Sequence, residues 1–252
     1  MKSIFSILSA AVCYNLLLSS AFAAENYSLW PRRPAELEQA RRLVREQKGA
    51  EAVHLLQPFI SDNGIAGREA RQIMGAVNVQ RYLSRRHPEA RVYTVKPGDN
   101  VFKIAAAEKC PFELIMLLNG IVEPAGLRVG QKLVLVPMNC RLEIRPTQRE
   151  ICVWDGETLV ADYALESPDS AVARKAAGET SLTARDGFLD GSKLPTRSTL
   201  LLSSARTITF ANGLSLRAEQ GGSAGDTLRM KQRDLNELSL LLPMGAPVVF
   251  AN

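Results

Sequence analysis

Pro97-Gly98-Asp99 stands between an alternating run, Arg91 to Val95, and an apolar-periodic run that starts at Val101. No other stretch constrains the chain as tightly. The proline ends strand pairing, the glycine reaches backbone conformations closed to other residues, and Asp99 can cap a following helix. Val101, Ile104 and Ala105 then share one helical face. Cys110-Pro111 starts a second helix with proline at its first position, and Leu114, Leu117 and Leu118 give it an apolar side. Asn119-Gly120 suits the left-handed residue at a helix end, and "KLVLV" reads as a closing strand stopped by Pro137. The order over residues 91–137 is βααβ.

The wording "YTVKPGDNVFKIA … LNG … LRVGQKLVLVP" resembles the LysM domain, a module that binds N-acetylglucosamine-containing glycans such as peptidoglycan and chitin. The resemblance covers the whole segment. Asn100 and Val101 stand where that family usually has Thr or Ser followed by Leu. A glycan partner is also sensible physically. An N-acetyl sugar offers a methyl, an amide and hydroxyls, which fit a shallow groove of exposed backbone beside apolar patches. Two loops can supply it: Gly98, Asp99, Asn100 and Val101 in the first, Ile121, Val122 and Leu127 in the second.

The sequence begins with a pattern of export. Lys2, an apolar stretch from Ile4 to Leu18 and Ala21-Phe22-Ala23 describe a signal peptide over 1–23, with a linker over 24–34. The apolar stretch is short for a bilayer span, so no membrane span is expected after cleavage. The expected location is the periplasm or cell envelope. The formal charge of +5 comes without a Lys/Arg block, and "RRPAELEQARR" mixes acids among its bases, which argues against a nucleic-acid partner. Residues 35–90 read as a helical segment. Leu37, Ala40 and Val44 mark a first helix that Gly49 can close; Val53, Leu56 and Ile60 a second, shortened by Pro58; Ala66, Ala70, Ile73 and Val77 a third. His54 and His87 have no partner spacing that suggests chemistry. Beyond the signal the chain keeps Cys110, Cys140 and Cys152, an odd number. Spacing allows a Cys110–Cys140 disulfide and leaves Cys152 as a small core hydrophobe in "ICVW".

From Arg141 the chain is strand-rich. "RLEI" and "EICVW" form a hairpin, Asp155-Gly156 a tight turn into "TLVADYAL", and Pro168 to Gly178 a loop. Further strands are expected at 180–184, 199–202, 208–210 and 214–216, then a helix with Leu235, Leu238 and Leu242 on one face, then "PVVF". The whole is an α+β multidomain chain. Residues 141–252 resemble the L,D-transpeptidase domain, which crosslinks peptidoglycan stems through a cysteine; "LRMKQRDLNELSLLLPMGAPVVF" carries the resemblance. The family's catalytic motifs do not fit. Its histidine position holds Arg217, its cysteine position Thr227, and only Arg229 persists. Acyl transfer needs an ionised nucleophile or one beside a base, and a guanidinium does not deprotonate. No catalytic residue, metal site or cofactor is therefore expected, and Asp186 and Asp190 read as turn residues. The expected function is an exported peptidoglycan-binding scaffold or regulator, with a cell-wall enzyme as a further partner. The alternative is a divergent peptidoglycan-processing enzyme with an unfamiliar active site. Leu214 to Arg217 and the stretch ending at Thr227 should lie side by side.

Overall fold

The computed structural model describes residues 34–166, 172, 176–194, 204–218 and 226–251. The signal segment, the linker up to residue 33, the strand expected at 199–202 and most of the 168–178 loop lie outside them.

Helices α1 (Ala35–Arg45), α2 (Gly49–Leu56) and α3 (Ile65–Tyr82) form the N-terminal layer, with a 3-10 turn over Gln57–Phe59 where Pro58 interrupts. Gly49 does not close α1; it opens α2, and the left-handed residue is Gln47. Gly49 is small because a Cβ there would lie 2.7 Å from Val77 Cγ1. In α3, Ala66, Ile73 and Val77 are only half-buried, whereas Gly67, Arg71, Met74, Gly75, Asn78 and Tyr82 are buried. A second surface causes this shift. Helix α3 packs on α1 and α2 and also across the strand β5 (Thr158–Ala164) of the C-terminal sheet. Gly75 permits the approach: an added Cβ would sit 2.6 Å from the Asp162 backbone nitrogen. Asn78 Nδ2 donates to Leu159 O at 2.6 Å and Tyr82 Oη to Asp155 Oδ2 at 3.0 Å. Leu37, Leu56 and Met74 thus share a core with Cys152, Trp154 and Leu159.

The βααβ unit forms as read: β1 (Arg91–Thr94), α4 (Val101–Ala107), α5 (Phe112–Asn119) and β2 (Lys132–Leu135), with β1 and β2 antiparallel. Three details differ. Asn100, not Asp99, caps α4, its Oδ1 accepting from Lys103 N at 2.9 Å. Pro111 is the residue before α5 rather than its first. Leu117 is exposed, and α5 instead buries the consecutive run Glu113 to Met116. A helix buried on adjacent faces must be covered from two sides. Ile115 and Met116 fill the unit's own core, and Leu114 enters the core of the C-terminal sheet. The Asn119 side chain ties the end of α5 to β2, donating to Val134 O at 2.8 Å and accepting from Val134 N at 2.7 Å.

The remaining strands form one sheet: β3 (Cys140–Arg145), β4 (Glu150–Asp155), β5, β6 (Gly178–Leu189), β7 (Ser192–Lys193), β8 (Ala205–Phe210), β9 (Ser215–Ala218), β10 (Thr227–Met230) and β11 (Pro247–Phe250). Its order is β10-β9-β8-β6-β11-β3-β4-β5, with β7 paired to β6. The β4–β5 turn is one residue later than expected, Gly156-Glu157, because Asp155 still pairs with Thr158. Helix α6 (Gln232–Leu241) covers the sheet with Leu235, Leu238 and Leu241. Cys110, Cys140 and Cys152 are buried free thiols, so the Cys110–Cys140 bridge is not formed. No helix among the described residues is long and apolar enough to cross a membrane.

Candidate functional site

The first glycan-loop candidate is built by its own side chains. Asp99 Oδ2 accepts from Lys96 N and from Tyr93 Oη, each at 2.8 Å, closing the turn that Gly98 makes with φ +82°. The Lys96 backbone N–H, then the Tyr93 hydroxyl, hold the Asp99 carboxyl below the usual carboxylate range. Lys103 Nζ donates to Gly98 O at 3.0 Å. The loop is therefore fixed in shape while Gly98 faces open space.

The second loop is fastened beneath it, Gly130 N donating to Val95 O at 2.8 Å and Val95 N to Gln131 O at 2.9 Å. The apolar candidates then divide. Val101 has no exposed surface, Ile121 is buried, and Leu127 packs on the same cluster, so these three build the unit's core. Gly98 and Val122 are exposed, Asp99 and Asn100 partly so. Val129, which the sequence reading passed over, is exposed like Val122. Its signal was an apolar residue directly before a loop glycine, Gly130.

In the C-terminal sheet, Thr227 and Ser215 stand opposite each other on the parallel pair β10–β9, and Arg229 stands opposite Arg217. The two stretches do lie side by side, but Arg217 is two residues out of register with Thr227. The neighbour of Thr227 is Ser215, hydroxyl to hydroxyl at 3.4 Å. Two hydroxyls by themselves do not make an activated nucleophile. The histidines contribute elsewhere. His54 is exposed on α2. His87 is buried against Tyr82 at 4.7 Å between ring centroids, and desolvation lowers its pKa. Asp186 is a strand residue paired with Lys193 Nζ at 2.9 Å, and Asp190 is a left-handed turn residue.

One constellation was missed. Glu150, Cys152 and Asp162 bring potential ligand atoms within 4.8 Å of one another on β4 and β5. The i, i+2 spacing of Glu150 and Cys152 was visible; the Cys152–Asp162 register was not. Arg71 engages Glu150 with two hydrogen bonds of 3.0 Å, and Arg145 Nη1 adds one of 3.3 Å. Glu150 is thus engaged by two cations already present, while Cys152 Sγ lies 4.0 Å from Asp162 Oδ1. Burial pushes the Cys152 thiol up, the opposite of what a nucleophile needs. Burial first, and Glu150 next, raise the Asp162 carboxyl from 3.8 to about 8. The folded protein then keeps a proton that the unfolded chain releases. This group's contribution is full below 3.8 and is lost as pH rises through about 8. Asp162→Asn is expected to flatten that fall, read as urea midpoints across the range.

Residues 93–136 match the family model of the LysM domain. The chain therefore contains a LysM domain. No curated protein matches the chain in sequence. Solved structures similar to it include the Bd1075 protein of Bdellovibrio bacteriovorus, at 12% identity, TM-score 0.33, over 46% of this chain and 48% of that one. An L,D-transpeptidase from Mycobacterium smegmatis matches at 9% identity and TM-score 0.33, over 50% of this chain and 65% of the other. The L,D-transpeptidase of Xylanimonas cellulosilytica, residues 123–326, matches at 16% identity and TM-score 0.33, over 63% and 97%. The chain thus spans about half the length of the first and under two thirds of the second.

Proposed function

We propose that the protein is an exported peptidoglycan-binding protein whose LysM domain carries the binding and whose C-terminal domain performs no transpeptidation. The observation that carries this reading is the LysM unit, complete in fold, with Gly98 and Val122 exposed on two braced loops. The contact surface is Gly98, Asp99, Asn100 and Val122. Val101, Ile121 and Leu127 shape it from below. A LysM domain meets its ligand outside the cytoplasm, in agreement with the export signal read at 1–23. The inert reading of the C-terminal domain rests on Thr227 facing Ser215 where turnover would need a thiolate and an imidazole. Arg217 and Arg229 remain able to hold an anionic group of the wall polymer, and the domain can scaffold a cell-wall enzyme.

Co-sedimentation with purified sacculi tests the binding claim. Val122→Asp changes an exposed loop residue, so folding should survive, and affinity should fall roughly tenfold, about 1.4 kcal/mol. Undiminished sedimentation of that variant would remove the loop from the site.

A further inference from the structure

The seam between the LysM domain and the C-terminal sheet holds a buried charge imbalance. Glu113 of α5 lies 3.1 Å from Arg185 Nη1 and 3.0 Å from Arg206 Nη1. Their side chains are 1%, 3% and 3% exposed, so two guanidinium groups share one carboxylate out of water. The other contacts of Arg185 bring no negative charge: the Ser239 carbonyl at 2.6 Å and the Phe112 ring at 5.6 Å. The Nε atoms of both arginines lack hydrogen-bond partners, and Glu113 Oε2 meets Arg185 at ion-pair distance without hydrogen-bond alignment. An unmatched buried charge is costly, and a counter-ion relieves it.

A cavity of about 710 Å³ adjoins this cluster between the two domains. Phe102, Ala106 and Phe112 wall it from the LysM side, Arg185 and Met244 from the sheet side, and exposed Lys109 adds a second cation. Phe102 and Phe112 meet at a tilt of 55° with centroids 4.9 Å apart, giving a continuous aromatic wall. Asp186 also borders the space, but its charge is matched by Lys193. An interdomain cavity that is mainly apolar and carries a few polar groups is the usual form of a small-molecule site.

We propose that this seam cavity binds a small monocarboxylate with an apolar body, the carboxylate against Arg185 and the body between Phe102, Phe112 and Met244. A single negative charge matches the buried imbalance of Arg185 and Arg206 against Glu113. The site is separate from the glycan loops, so sacculus binding neither supports nor undermines it. Ligand seated there would touch both domains and tighten their contact.

Titration calorimetry and thermal melting of the full protein test this with decanoate, decanol and N-acetyl-alanyl-alanine. One or both carboxylates should saturate one site and raise Tm, while decanol does neither. The arm that binds tells a free aliphatic acid from a peptide carboxy-terminus. Ala106→Trp puts a large ring into the cavity from an exposed position outside the ion cluster, and should weaken binding at least tenfold, about 1.4 kcal/mol. Failure of both carboxylates, equal binding of decanol, or unchanged affinity in Ala106→Trp would overturn the proposal. If Ala106→Trp does not fold, decanoate, N-acetyl-alanyl-alanine and decanol with the unaltered protein decide.

Discussion

Glu113→Ala is expected to destabilise the protein by about 3–5 kcal/mol, the range for removing one partner of a buried ion cluster. Glu113 is the anion between Arg185 and Arg206, and its loss leaves two like charges facing each other out of water. The burial of Arg206 already lowers its pKa, with Glu113 opposing that fall and Arg185 adding to it. The effect should extend beyond α5, because Leu114, the next residue, is inserted in the core of the C-terminal sheet. Equilibrium urea unfolding reads the loss directly. A shift under about 1 kcal/mol, the size typical of a surface pair, would mean that the cluster is solvated.

Arg71→Ala should cost as much, about 3–5 kcal/mol, at the opposite end of the sheet. Arg71 is almost wholly buried and makes four hydrogen bonds: two to Glu150, and one each to Ile60 O and Asp62 O at 3.0 and 2.7 Å. Without it, Glu150 keeps only Arg145, and two carbonyls at the α2–α3 connection lose their donor. Replacing the pair together, Arg71→Met with Glu150→Leu, should restore much of the loss, since apolar replacement of a whole buried ion pair is often close to neutral. Urea unfolding of both variants checks this. A double variant as unstable as Arg71→Ala would show that the carbonyl contacts, rather than the ion pair, dominate.

What the sequence made legible follows from the range of the forces involved. The βααβ unit was readable because turn, caps and helix stop are local: Gly98, Asn119 and Gly120 act within a few residues of themselves. Even there, Asp99, expected as the cap, closes the turn and Asn100 caps the helix, since both are good caps and only geometry assigns one to each place. The parallel neighbours β9 and β10 were expected together, but their register was not, and register decides that Thr227 meets Ser215 rather than Arg217. The helical layer was recognised without its partner. Gly75 and Asn78, outside the apolar pattern of that helix, are the points where α3 lies on β5. Leu117 was assigned to the core by periodicity alone, and a helix packed on two sides escapes a one-face pattern. Arg185 and Arg206 drew no notice because nothing in sequence links them to Glu113, far earlier in the chain.

The central claim is that the protein holds peptidoglycan without changing it. The most direct measurement incubates the purified protein with intact sacculi, recovers the pellet and resolves its muropeptides. The account predicts protein in the pellet and a muropeptide profile identical to that of untreated sacculi, for the unaltered chain and for Thr227→Ala alike. New crosslinks or trimmed stems that vanish with Thr227→Ala would contradict it.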